Sequence, residues 1–165
     1  MTEASPSLDR DSASCPQCGQ PGRPVSEVTV QSLLLDQAQA KLKFTSAFRF
    51  CATPQCAVVY FQPASGDRVV QSDLRAPVFQ KSADPKRLVC YCFGHTVEAI
   101  QSEVRAGGFS RILADIKRQC AQGFDRCERT NPQGSCCLGN VQRVIRELGG
   151  GNSLPSSGSS CSCCH

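Results

Sequence analysis

The alternation of apolar and polar positions changes period near the middle of this chain. Residues 25–35 (VSEVTVQSLLL) are rich in valine and leucine and partly alternate, which predicts a strand. Residues 36–43 (DQAQAKLK) predict a helical turn. The run TSAFRFCATPQCAVVYF alternates up to a break at Cys51–Cys56 and resumes as a β-branched stretch, a strand–turn–strand pattern. Further strand is expected within 69–80. Past the polar, proline-containing segment KSADPKR at 81–87, the spacing becomes helical. Val97, Ile100 and Val104 form one stripe, with Thr96 as N-cap, Glu98 in the first turn and Gly107-Gly108 as the stop. Ser110 is placed to cap a second helix with Ile112, Ile116 and Cys120 on one face. Asn140 is placed to cap a third, with Val141, Val144, Ile145 and Leu148 inward and Gly149 as the stop. Residues 149–160 (GGGNSLPSSGSS) read as a flexible linker, and residues 1–14 as disordered. The expected fold is therefore α+β: a small β-rich domain over 15–80, a small helical domain over 84–148, and a linker with a cysteine-rich tail over 149–165.

Thirteen cysteines in 165 residues change what this architecture is for. The N-terminal MTEASPSLDRDSAS has no apolar core of a signal peptide. No apolar run approaches the ~20 residues needed to cross a bilayer. The expectation is a cytoplasmic protein without membrane insertion, in which cysteines bind metal more readily than they form bridges. Their odd number also argues against complete pairing. A net charge of +4 is spread along the chain, aromatics make up 6%, and tryptophan is absent. Without a basic stripe interleaved with aromatics, nucleic-acid binding by a zinc ribbon ranks last. The sequence shows no catalytic triad, phosphate loop or paired-carboxylate site, so hydrolytic or transferase chemistry is not expected.

Two sets of thiols account for most of the cysteines. CPQCG at Cys15 and Cys18 is a metal knuckle: a tight turn aims two thiolates at one ion, and the glycine supplies the positive φ such turns use. Cys51 and Cys56 form a looser C-x4-C knuckle, turned by Thr53-Pro54. Two knuckles joined by β structure make a zinc ribbon, in which Zn²⁺ closes a fold too small to stabilise itself, a structural site rather than a reactive one.

The second set runs from Cys90 to Cys137, opening with a C-x-C pair and closing with Cys136-Cys137, with Cys120 and Cys127 between. Thiolates gathered from both ends of a helical segment suit a [2Fe–2S] cluster, in which each iron takes two of the four. Cys90 and Cys92 end the apolar stretch RLVCYCF just before a helix, and Cys136 and Cys137 precede another, so two helix starts would face an anionic cluster. Gly94, Gly134 and Gly139 would let the backbone approach the sulfurs. Cys127 beside the CERTNP turn reads as a loop residue free to point inward, whereas Cys120 lies on an apolar helix face and suits the core. His95 reads as a donor standing behind the ligands or as an exposed side chain. Between Cys136 and Cys137 the pattern does not choose.

These strings carry a resemblance. CYCFGHT followed by CERTNPQGSCCLGNV resembles the iron–sulfur half of the CopZ-type copper chaperones, themselves similar to bacterioferritin-associated ferredoxins. CPQCG and CATPQCAVVYF resemble the zinc-binding half of the same family, and together the matches span about residues 15–148. The resemblance implies a two-domain intracellular protein with one Zn²⁺ and one [2Fe–2S] cluster, which handles copper and exchanges an electron with it. It favours Cys137 over Cys136, so the implied iron ligands are Cys90, Cys92, Cys127 and Cys137, beside Cys15, Cys18, Cys51 and Cys56 for zinc. A metal-transporting ATPase or a redox partner would be the implied recipient. The family usually continues into a ferredoxin-like copper-binding domain with its own C-x-x-C. This sequence instead runs into CSCCH, where Cys161, Cys163, Cys164 and His165 read as a tethered site for a soft ion such as Cu⁺, Hg²⁺ or As(III).

Two functions from different classes follow. One is a metal-handling protein of copper-chaperone type, whose cluster reduces copper or helps transfer it. The other is a [2Fe–2S] electron-transfer protein similar to bacterioferritin-associated ferredoxin, without metal cargo.

Overall fold

The computed structural model describes residues 13–150, so the tail Cys161–His165 and all but the first two residues of the linker at 149–160 lie outside the described residues. The chain divides into two compact units between Lys81 and Ser82. The fold class is mixed α+β, with a small antiparallel sheet and several helices. No helix among the described residues is long and apolar enough to cross a membrane.

In the first unit, β1 (Arg23–Val25), β2 (Phe48–Phe50), β3 (Val58–Phe61) and β4 (Arg68–Val70) form a four-stranded antiparallel sheet in sequence order. Arg23 pairs with Phe50, Phe50 with Tyr60, and Phe61 with Arg68. The central strand β3 is buried at all four positions and shifts register against β4 between Val58 and Tyr60. It serves two separate apolar clusters. Val59 and Tyr60 join Val30, Leu34, Phe48, Phe50, Val69 and Val78 in the main core. Val58 and Phe61 pack with Cys15, Cys51 and Cys56.

The stretch 25–35 is not the expected strand. Only Val25 belongs to β1, and α1 spans Glu27–Leu33. Ser26 caps it by accepting a hydrogen bond from Thr29 N, and Glu27 accepts from Gln31 Nε2 one turn on. The buried positions are Thr29, Val30 and Leu33, a helical stripe, while Val28 is exposed. Capping and this stripe override the β preference of valine and threonine, a weak force beside packing. The expected turn at 36–43 is a short helix, α2 (Asp36–Gln39). The strand expected within 69–80 stops at Val70. Asp73 then accepts from Val70 N, and Gln71 accepts from Val78 N and donates to Ala76 O, closing the chain into 3₁₀ turns.

In the second unit, β5 (Leu88–Cys90) and β6 (His95–Thr96) form a hairpin that leads into α3 (Val97–Gly107), followed by α4 (Ile112–Ala121), α5 (Cys127–Thr130) and α6 (Leu138–Glu147). Helices α3 and α4 both pack on α6. Ile100, Ile116, Val141 and Ile145 are almost fully buried, as their spacing predicts. Thr96 caps α3 by accepting from Ala99 N. Two expected caps differ. Glu103 of α3 accepts from Ser110 Oγ, Arg111 N and Ile112 N, so a carboxylate from the neighbouring helix satisfies the start of α4, with Ser110 assisting at Ile112 N. Helix α6 begins before Asn140, with Cys137 at the N-cap position, and Asn140 instead donates to Gln133. Leu148, expected inward, is only half-buried at the helix end.

Candidate metal centres

The first centre forms where the chain entering β1 meets the β2–β3 connection. Cys15 N donates to Gln20 O and Gly19 N to Cys15 O, so the backbone folds tightly around the first pair, with Gly19 at φ +73°. In the second knuckle, Cys56 N donates to Thr53 O and Cys51 N to Val59 O. The four sulfurs of Cys15, Cys18, Cys51 and Cys56 all lie within 4.8 Å of one another. Cys15 and Cys56 are 3.7 Å apart, and Cys18 and Cys51 3.6 Å. A tetrahedron with Zn–S bonds of about 2.3 Å has edges of about 3.8 Å, so the thiols are spaced as a zinc tetrathiolate requires. All four are free thiols, and three of them are buried. Burial pushes the Cys56 thiol up to about 12, and it also raises Cys15. At Cys18 burial acts in the same direction but is outweighed by hydrogen bonding with Thr53, with the backbone at Gln20 and with the neighbouring thiols, which brings it down to about 6. Cys18 is thus poised to be a thiolate, while Cys15 and Cys56 need a cation to replace their protons.

The second centre lies in the other unit. The C-x-C turn follows β5, and Cys92 Sγ sits 3.4 Å from Cys127 Sγ and 3.3 Å from Thr130 Oγ1. Arg126 N donates to Cys92 Sγ at 3.1 Å. The sulfurs continue as a chain: Cys127 contacts Cys137, Cys137 contacts Cys90, and Cys136 touches both Cys127 and Cys137. Cys90, Cys127 and Cys137 are buried, whereas Cys92 and Cys136 are half-buried. The hydrogen bond with Cys127, followed by those from Thr130 and the Arg126 amide, brings the Cys92 thiol down to about 6 against the effect of burial. Contact with Cys137 likewise lowers Cys90. Cys127 and Cys137 are displaced upward, chiefly by Cys136 and Cys127 respectively. Cys120 stays on the apolar face of α4, where burial drives its thiol up to about 12. The donor set fits a cluster needing four thiolates around two irons, with Cys136 as a fifth sulfur beside it.

The surroundings depart from expectation in three ways. Helix α3 begins at Val97, beyond a β-hairpin, so Cys90 and Cys92 do not sit at its first turn. Cys127 is the first residue of the helical turn α5 rather than a loop residue. At Gly94 and Gly139 an added Cβ would meet no atom within 4 Å, so no close backbone approach requires them. His95 lies in β6 with Nε2 3.4 Å from Asp115 Oδ2.

The sequence reading also passed over the residues that shape the closing loop. Asn131 is buried, accepts from Gln133 N and donates to Ser135 O, while Gly134 N donates to Asn131 O. Gln133 donates to Cys136 O and accepts from Asn140. The N-P-x-G string was a signal for this turn.

The geometry has counterparts among known proteins. Residues 12–75 match a family described as the zinc binding domain of CopZ type. The chain is 28% identical over 136 residues to the copper chaperone CopZ of Archaeoglobus fulgidus, an overlap of 82% of this chain and 63% of that protein. The chain therefore spans less than two thirds of the length of this curated relative. The X-ray structure of the Archaeoglobus fulgidus CopZ N-terminal domain superposes with a TM-score of 0.67 and 27% identity, covering 79% of this chain and 96% of that one. The four thiols at tetrahedral spacing lie inside residues 12–75, the stretch that is similar to the CopZ-type zinc binding domain.

Proposed function

We propose that the chain is a metal-handling protein of copper-chaperone type, in which a structural zinc site accompanies a redox-active [2Fe–2S] site. The observation that carries this reading is the chain of sulfurs Cys90–Cys137–Cys127–Cys92, held between the β5–β6 hairpin and the starts of α5 and α6. Its likeness to a protein named a copper chaperone supplies the cargo class.

When bound, such a cluster supplies one-electron redox chemistry, here the reduction of Cu²⁺ to Cu⁺ before capture or transfer. The residues around it have separable tasks. Cys90, Cys92, Cys127 and Cys137 would hold the irons. The Arg126 amide and the Thr130 side chain would steady the Cys92 sulfur by hydrogen bonding, which tunes a thiolate's electron density. Asn131 and Gln133 hold the loop that presents Cys137. Burial of Cys90 and Cys137 keeps water away on that side, and the half-buried Cys92 leaves an edge for a partner. The recipient is a metal-transporting ATPase or a redox protein. The thiols Cys161, Cys163 and Cys164, with His165, would take the soft ion.

Purified protein should be brown and contain two irons, two sulfides and one zinc per chain. Cys90→Ala or Cys92→Ala should bleach the visible absorption and leave zinc bound; loss of zinc with retained colour would reverse the two assignments. Cu⁺ titrated against a competing chelator should bind the full chain more tightly than a chain ending at Gly151. Equal affinity would remove the tail from the mechanism and favour electron transfer without cargo.

A further inference from the structure

The C-x4-C knuckle is the looser half of the zinc site, and Lys81 braces it. The segment leading to Lys81 is anchored by Val78 and Phe79, both buried, and Lys81 ends the 3₁₀ turn Phe79–Lys81. From there its ammonium reaches back over the Cys51–Cys56 turn. Nζ donates to Thr53 O at 2.7 Å and to Cys56 O at 2.9 Å, and lies 3.9 Å from Cys51 Sγ. An ammonium has three donors and no acceptor, and these three contacts use all of them. Two of the carbonyls belong to the turn that spaces the two cysteines. The third contact is a sulfur, at a distance where charge matters more than hydrogen bonding.

Four thiolates around Zn²⁺ leave a net charge of 2−, in a site where three of the four cysteines are buried. A fixed positive charge beside one sulfur offsets part of that excess, and in a poorly solvated site it does so more strongly than in water. It also draws electron density from the sulfur, making that ligand a poorer nucleophile and slower to be lost to a competing thiophile. Lys81 lies outside the residues 12–75 that match the zinc-binding family. We infer that Lys81 is a positioning residue of the zinc centre, which locks the C-x4-C turn and neutralises the Cys51 thiolate so that the site resists metal exchange. This rests on the zinc assignment for Cys15, Cys18, Cys51 and Cys56.

The test uses the full chain loaded with zinc or with Co²⁺ at that site, comparing parent, Lys81→Gln, Lys81→Met and Lys81→Arg. Cobalt-minus-zinc difference spectra should show tetrathiolate charge-transfer bands in the parent; their absence would overturn the zinc assignment itself, separately from the role of Lys81. With the charge removed, the sulfur lone pairs rise in energy, so these bands should move to longer wavelength in Lys81→Gln and Lys81→Met. Zinc should pass to a chelating indicator on the order of tenfold faster in both, the scale typical of residues that orient metal ligands. Lys81→Arg, which keeps the charge, should restore parent-like bands and release. Unchanged bands and rates in Gln and Met would overturn the inference, as would an Arg variant as impaired as the Gln variant. Should Gln and Met take up no metal, rescue by Arg supports the charge, and failure of all three variants overturns it in favour of a shape requirement.

Discussion

At the scale of single residues, the two centres hang on which atom of a crowded neighbourhood faces inward. Cys136 and Cys137 are adjacent in sequence, yet Cys137 is 2% exposed and contacts both Cys90 and Cys127, while Cys136 is half-buried beside Cys127 and Cys137. Cys137→Ala should therefore abolish the visible absorption, whereas Cys136→Ala should keep most of the iron and sulfide. The reverse pattern, read by metal analysis of the two purified variants, would exchange their roles. A different residue-scale constraint sits in the sheet. Gly22 is buried, and a Cβ there would lie 2.5 Å from the Phe61 ring and 2.9 Å from Arg49 Cβ. Since Phe61 also packs on the zinc thiols, Gly22→Ala should cost about 1–3 kcal/mol, the range for overpacked cores. The measurement is the denaturant midpoint of the zinc-loaded protein.

At the scale of elements, several boundaries are decided by partners from elsewhere in the chain. The start of α4 is one case. Glu103, nine residues before Ile112, accepts from two of its first amides, and its negative charge lies where the helix end is positive. Glu103→Ala should lower the stability of the second unit by about 1 kcal/mol, as loss of an N-cap does. Urea unfolding followed at a signal from residues 82–150 checks this, and Glu103→Asp should recover little because the shorter side chain cannot span the gap. The helix α1 is the opposite case, since its cap and its stripe are local. Ser26, with Val30, Leu33 and Leu34 at helical spacing, was legible in the sequence but was outvoted by β-branched composition.

At the scale of the whole molecule, each unit has its own centre and its own core. The first buries two clusters on one sheet, one of them made largely of the thiols of the candidate zinc site. Removing zinc then removes part of a core as well as a cross-link, and metal binding in small ribbons is folding free energy of about 10 kcal/mol. A zinc chelator, or Cys15→Ala or Cys56→Ala, should unfold residues 13–81 while the visible absorption assigned to the second unit survives. The sheet's circular dichroism and the iron content, followed in one sample, decide it. A chelator that strips zinc without altering the sheet signal would remove the structural role.

The sequence by itself determined the features that are local in the chain. These are the two knuckles, the C-x-C and Cys-Cys pairs, the mixed α+β class and the apolar stripes of α3, α4 and α6. Each follows from spacing along a backbone of known period or from the reach of a tight turn. What only the tertiary structure decided involves atoms far apart in sequence. The approach of Cys15 to Cys56 and of Cys92 to Cys127 is of this kind, as are the Glu103 cap, the crowding of Gly22 by Phe61, and the Lys81 brace over Cys51. No periodicity encodes such pairs, because they are fixed by how layers pack and which polar groups that packing leaves to be satisfied. The conversion of 26–33 from expected strand to helix lies between these limits: the capping signal was local, and burial of Val30, Leu33 and Leu34 against the sheet gave it the deciding weight.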